Sequence, residues 1–288
     1  MTDLIITIAL CVAVAIAYAT AALIQARYAH LTIPQLLRLP QLWLAIGLNA
    51  LGAALHVTSL AFGPLSLIQP LGVLTLVIAV PLAAMGAKRR MTRLEISGMA
   101  NTVIGLAGLT MIITTTGVAD TLTSTELISL VGATVVVVGS LGAMGHRPGA
   151  STLWEAVAGG IGYSVCSALC QTVVVTVGEG GVSVLLEPIT VLAVVAIAVF
   201  AVTATILTQR SYRAGLAAPL AVTNLVNPAT ATTIGVVLLG EHVAAGPLGL
   251  GLAGVCGLLS GYGVAQLARA RDTDRPVAPV PEEIDARA

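Results

Sequence analysis

Apolar residues in this chain neither alternate nor fall on one helical stripe. They come in blocks of about twenty, the length that a helix needs to cross a hydrocarbon core of about 30 Å. The blocks cover residues 4–25, 42–61, 64–86, 94–114, 126–144, 154–177, 188–209, 214–240 and 246–267. The pattern therefore predicts an all-α polytopic membrane protein with about nine transmembrane helices. Two blocks are unlike the rest. The third follows Gly63 with Pro64-Leu65-Ser66-Leu67-Ile68-Gln69-Pro70-Leu71-Gly72, and the eighth carries Pro219, Asn224, Asn227 and Pro228. Proline inside a span removes a backbone bond where no water can replace it, so both helices are expected to be interrupted. Interrupted spans in matching places of two halves are the best sequence pointer to a transporter's binding site.

The polar segments between the blocks set the orientation. With the N-terminus outside and nine crossings, all 13 Lys and Arg residues, from Arg27 and Arg38 through Lys88–Arg93 to Arg287, fall on the cytoplasmic side. Asp3, Asp120, Glu126, Glu179, Glu187 and Glu241 fall on the other. That partition obeys the positive-inside rule completely and predicts a multi-pass plasma-membrane protein with a cytoplasmic C-terminus. The third and eighth spans then run antiparallel, as inverted-topology repeats require. The first span lacks the basic leader of a cleaved signal peptide, so it is expected to remain. The connector at 115–125 divides an N-terminal unit of four helices, 1–116, from a C-terminal unit of five, 124–268. Residues 269–288, with Pro276, Pro279 and Pro281, are expected to form a disordered cytoplasmic tail.

Composition agrees and narrows the function. Hydrophobic residues make up 57% and charged residues 9%, against about 25% charged in soluble domains. Zero formal net charge argues against a nucleic-acid partner, which needs a clustered basic face. Cys11, Cys166, Cys170 and Cys256 lie in apolar blocks and suggest no disulfide frame. Cys166 and Cys170 are one turn apart, but no His or carboxylate completes a metal set, so neither a metal nor a cofactor is expected. No His-Glu-x-x-His run and no Ser-His-Asp set occurs within the spans, and the chain is not expected to be an enzyme.

The eighth and ninth blocks, with Asn227-Pro228, then Leu239-Gly240-Glu241 and a glycine-rich helix, resemble the repeat of the drug/metabolite transporter (EamA-like) superfamily. The first half is similar at Ala61-Phe62-Gly63-Pro64-Leu65, at Gln69-Pro70-Leu71-Gly72 and in the block that begins at Leu94. It departs in having Gly86-Ala87-Lys88 where the family often has Gly-Glu, and in one helix fewer. The resemblance implies two inverted-topology repeats, four helices plus five. It also implies a secondary transporter that moves a small organic solute or metabolite, in the export direction, by alternating access. The shorter count and the Pro-Leu-Gly run are similar to the NIPA-like branch, which implies Mg²⁺ as an alternative substrate. A non-transporting membrane scaffold is a further alternative.

The residues themselves favour an organic solute. Magnesium is usually met by carboxylates, whereas the polar groups within spans are neutral apart from His56. They include Asn49 and His56 on the second block, Gln69 on the third, Asn101 on the fourth, Tyr163 and Gln171 on the sixth, and Asn224 and Asn227 on the eighth. Asn101 and Gln171 are expected to join helices. Gln69, Pro70, Asn224, Asn227 and Pro228, with Asn49 and His56, are expected to line the substrate pathway. Pro70 enters about 9 Å from the outer end of its span and Pro228 about 21 Å from the inner end of its own, which displaces the chamber outward. His56 serves equally as an intramembrane ionisable group or as a neutral packing residue. On the ninth block Gly249, Ala253, Gly257, Gly261 and Ala265 recur every four residues, a ridge expected to pack against the other half or a second copy in a homodimer.

Overall fold

The computed structural model describes residues 2–59, 71–112, 115–116, 121–238, 242–243 and 246–273. Almost all of them are helical: α1 (Thr2–Arg27), α2 (Ile33–Leu37), α3 (Pro40–Ser59), α4 (Leu71–Gly86), α5 (Arg93–Ile112), α6 (Ser124–His146), α7 (Leu153–Gly180), α8 (Pro188–Ser211), α9 (Ala217–Leu238) and α10 (Gly246–Thr273). Short 3-10 turns cover Val182–Leu186 and Tyr212–Ala214. Two dipeptide strands, β1 (Thr115–Thr116) and β2 (His242–Val243), pair antiparallel, with Thr115 opposite Val243 and Thr116 opposite His242.

Among the described residues, five helical segments are long and apolar enough to cross a membrane: Ala9–Arg27, Ser124–His146, Leu153–Gly180, Pro188–Ala214 and Leu248–Ala270. The protein is thus membrane-embedded and helical. Pro40–Leu55 and Leu74–Gly86 are shorter apolar helices. Trp43 is exposed and donates its indole N–H to the Leu37 carbonyl at 3.1 Å, an amphipathic placement suited to a bilayer surface.

Local signals explain the helix ends. Thr123 and Glu126 form a capping box that opens α6, with the Thr123 N–H donating to Glu126 Oε2 at 2.8 Å. Gly181, at φ 76°, ends α7 in a conformation that costs a residue with a Cβ. α10 does not stop at Leu267. It stays helical to Thr273, into the segment expected to be a tail, and residues 274–288 lie outside the described residues.

The packing has a simple scheme. α1 packs against α3 and α4, and α7 packs against α8 and α9. α5 pairs with α10, and α6 packs chiefly on α7. The largest buried cluster lies where the arginine-bearing ends of the helices meet. It joins Ala19 and Ala22 of α1, Leu76, Ala79 and Val80 of α4, Leu220 and Ala221 of α9, and Val264 and Leu267 of α10. A second cluster, with Leu127, Val165, Leu169, Ala196 and Phe200, fills the space between α6, α7 and α8.

Candidate functional site

α7 positions α9 through a run of small residues four apart on one face: Ala156, Gly160 and Ser164. Thr223 Oγ1 donates to the Ala156 carbonyl at 3.3 Å. A Cβ on Gly160 would lie 3.0 Å from Val226 Cβ, so the two backbones approach as closely as glycine allows. Ser164, buried, donates its hydroxyl to the backbone carbonyl of Asn227 at 2.7 Å. The contact falls beside Pro228.

α9 is continuous through Pro228, which corrects the expected interruption. Proline removes one helical N–H, to the carbonyl four residues back, and neighbouring helices can absorb that single loss with a kink at most. Pro219 falls in the first turn, where its missing N–H has no helical partner to lose. Asn224 and Asn227 are both half-buried and, three residues apart, share one side of α9. Their amides offer donors and acceptors without charge.

The other expected pathway residues divide. Gln69 and Pro70 lie outside the described residues. Asn49 is half-buried on α3, and His56 lies in the same helix with its side chain outside the described set. α4 and α9 do come together, as expected of the third and eighth spans, but the side chains they share near the arginine-bearing ends are apolar and close-packed.

The expected ridge on α10 divides. Nothing lies within 4 Å of a Cβ built on Gly257 or Gly261, so within one chain that face of α10 touches no neighbour at these positions. Ala253 is buried and Gly249 half-buried. α10 meets α5 on a neighbouring face instead. A Cβ on Gly105 would lie 2.5 Å from both the Cys256 carbonyl oxygen and the Ser260 nitrogen, and one on Gly263 would lie 2.6 Å from the Gly98 carbonyl oxygen. Asn101 Nδ2 donates to Gln266 Oε1 at 2.8 Å across the same interface, the joining role expected of it. Tyr163, in the same way, shares a 3.1 Å hydrogen bond with Thr205 between α7 and α8, while Gln171 is exposed.

Sequence reasoning missed a buried carboxylate that two arginines approach. Glu155, on the first turn of α7, has 0% of its side chain exposed and accepts from Arg213 Nη2 at 2.9 and 3.1 Å. Arg210 Nε lies 2.9 Å from Glu155 Oε1. A Cβ on Gly145 would lie 2.6 Å from Glu155 Cγ, so α6 also closes over the carboxylate. The sequence carried a signal for Glu95, which follows Arg89, Arg90 and Arg93, but not for Glu155, whose arginine partners come more than fifty residues later. Glu95 is likewise paired, with Arg89 donating at 2.6 and 2.8 Å.

No family model, curated protein or solved structure matches the chain.

Proposed function

We propose that this protein is a secondary transporter of a small, neutral, hydrogen-bonding organic solute, working across the cell membrane by alternating access. In this reading the nine long helices all span the bilayer, and residues 1–116 and 124–268 are inverted repeats of four and five helices. The repeated packing scheme carries the reading. The first helix of one half, α1, touches α3 and α4, as α7 touches α8 and α9, while α5 and α10, the last of each half, pair with each other. α6 is then the added helix of the second half.

Two further features support it. The apolar cluster of α1, α4, α9 and α10 forms the seal on the arginine-bearing, cytoplasmic side. Asn224 and Asn227 lie farther along α9 from that seal, where uncharged amides suit a solute with its own donors and acceptors. Asn49, half-buried on α3, is assigned to the same outward chamber.

The test is flux in proteoliposomes, with small polar organic solutes and Mg²⁺ offered separately, with and without a proton gradient. An organic solute is expected to move, and Asn227→Ala is expected to abolish or re-tune its flux at unchanged protein yield. Flux of Mg²⁺ alone would replace the substrate class. Correctly inserted, monodisperse protein that moves nothing under any gradient would leave a scaffold as the better description.

A further inference from the structure

The loop between α4 and α5 carries charge that neither the asparagines of α9 nor the pair at Glu155 uses. Lys88, Arg89, Arg90 and Arg93 are followed by the acid Glu95. Hydrogen bonds fix the shape of the loop. The Arg89 N–H donates to the Ala84 carbonyl at 3.1 Å and the Lys88 N–H to the Met85 carbonyl at 2.9 Å, the two bonds of a Schellman turn. The Arg89 guanidinium then grips both Glu95 oxygens, at 2.6 and 2.8 Å, and Glu95 Oε2 also accepts the Thr92 N–H at 2.9 Å. That pair neutralises one cation. Lys88, Arg90 and Arg93 are exposed and make no ion pair among the described residues, so four cations less one carboxylate leave three positive charges at the surface.

We propose that this loop binds the phosphate of an anionic phospholipid through Lys88, Arg90 and Arg93, in the leaflet that the loop faces. The faces of the two helices that meet in the loop select a lipid over a soluble anion. On α5, Arg93 heads a line of exposed apolar residues, Ile96, Ala100, Ile104 and Met111, at spacings that keep them on one side. On α4, Leu82 and Met85 are exposed in the two turns before Lys88. In a bilayer these faces meet acyl chains, and the cations that end them lie at the depth of the headgroups. Arg90 and Arg93 each present a planar fork that matches phosphate oxygens in pairs, and Lys88 adds a point charge. A zwitterionic lipid carries the same phosphate with its own compensating cation, so the surplus charge of the loop favours headgroups that lack one.

Lys88 adds a mark of its own. Its φ of 53° lies in the left-handed region, and among the described residues it is the one non-glycine with positive φ. It occupies the place after a helix where glycine usually stands, because a Cβ is strained there. The chain thus gives up stability to hold a cation at the end of α4, the kind of local cost that collects at functional positions. The inference rests on α4 and α5 crossing the bilayer, which the transport reading also requires, but not on transport itself. Lipid binding is measured without flux, so a chain that moves no solute still tests it.

Native mass spectrometry of the full chain in detergent, titrated with phosphatidylglycerol and separately with phosphatidylcholine of the same acyl chains, measures the binding. Phosphatidylglycerol is expected to bind more tightly. Arg90→Gln and Arg93→Gln should each weaken it about five-fold, and together about twenty-five-fold, from the usual contribution of one basic residue at an anionic surface. Lys88→Gly separates charge from folding: with the strain removed it should melt at or above the parent temperature, yet bind phosphatidylglycerol about five-fold more weakly. A Lys88→Gly protein that binds this lipid as tightly as the parent would overturn the proposal, as would equal affinity of the parent for the two lipids. Unchanged affinity in the double arginine variant would assign the lipid to another basic loop, with the same result. Inorganic phosphate that displaces phosphatidylglycerol at matched ionic strength would make the loop a site for a soluble anion, and the lipid assignment would fall.

Discussion

Glu155 shows how one ionised side chain can stay buried among apolar helices. Its carboxylate has no solvent contact, and two guanidinium groups, 27% and 39% exposed, supply the opposing charge from their hydrated side. Removing one member of a buried pair costs more than the pair itself contributes, because the other member stays desolvated. Glu155→Gln is expected to destabilise the protein by about 3 kcal/mol, near the low end for such losses because both arginines retain water. Melting of the purified variant measures this, and unchanged stability would show the pair to be idle. The sequence made the charge visible but not its depth: Glu155 stands at a helix start, a position that usually implies exposure. What decided the matter was Gly145, whose missing side chain lets α6 close over the carboxylate. Nothing along the chain links Gly145 to Glu155 until the loop between them has folded.

Helix positions were legible because a block of apolar residues fixes where a span lies, and the described helices follow the predicted blocks closely. Helix rotation was not. Gly249, Ala253, Gly257, Gly261 and Ala265 look like a straight ridge, but four residues advance a helix by about 40° beyond a full turn. Over the whole series the ridge wraps about 160° around α10, and no single neighbouring helix can meet all of it. The contact falls instead where Gly98 and Gly105 of α5 admit the backbone of α10. Gly105→Leu is therefore expected to lower the yield of folded protein severely, whereas Gly257→Leu should be tolerated within one chain. Size-exclusion profiles and melting curves of the two variants check this. Equal damage from both would mean that a second copy covers the Gly257 face. Pro228 teaches the same lesson for the backbone: composition marks a weak point, and the neighbouring helix decides whether it becomes a break.

For the whole molecule, the partition of Lys and Arg predicts the orientation that the transport reading needs. Single cysteines at Lys88 and at Asp120, in a background without the four native cysteines, should react differently with an impermeant thiol reagent in intact cells. Labelling is expected at residue 120 only, and labelling at residue 88 would reverse the topology. The architecture that joins the halves was beyond the reach of pattern, since α5 and α10, which pair closely, are separated along the chain by four other long helices. That separation has a consequence for biosynthesis. Asn101 on α5 meets Gln266 on α10, 165 residues later. When α5 leaves the ribosome its partner has not been made, and its amide and its bare glycine backbone must wait in lipid, or in the insertion machinery, while four long helices are added. A ribosome that stops before Gly246 thus releases a protein in which α5 lacks its main partner.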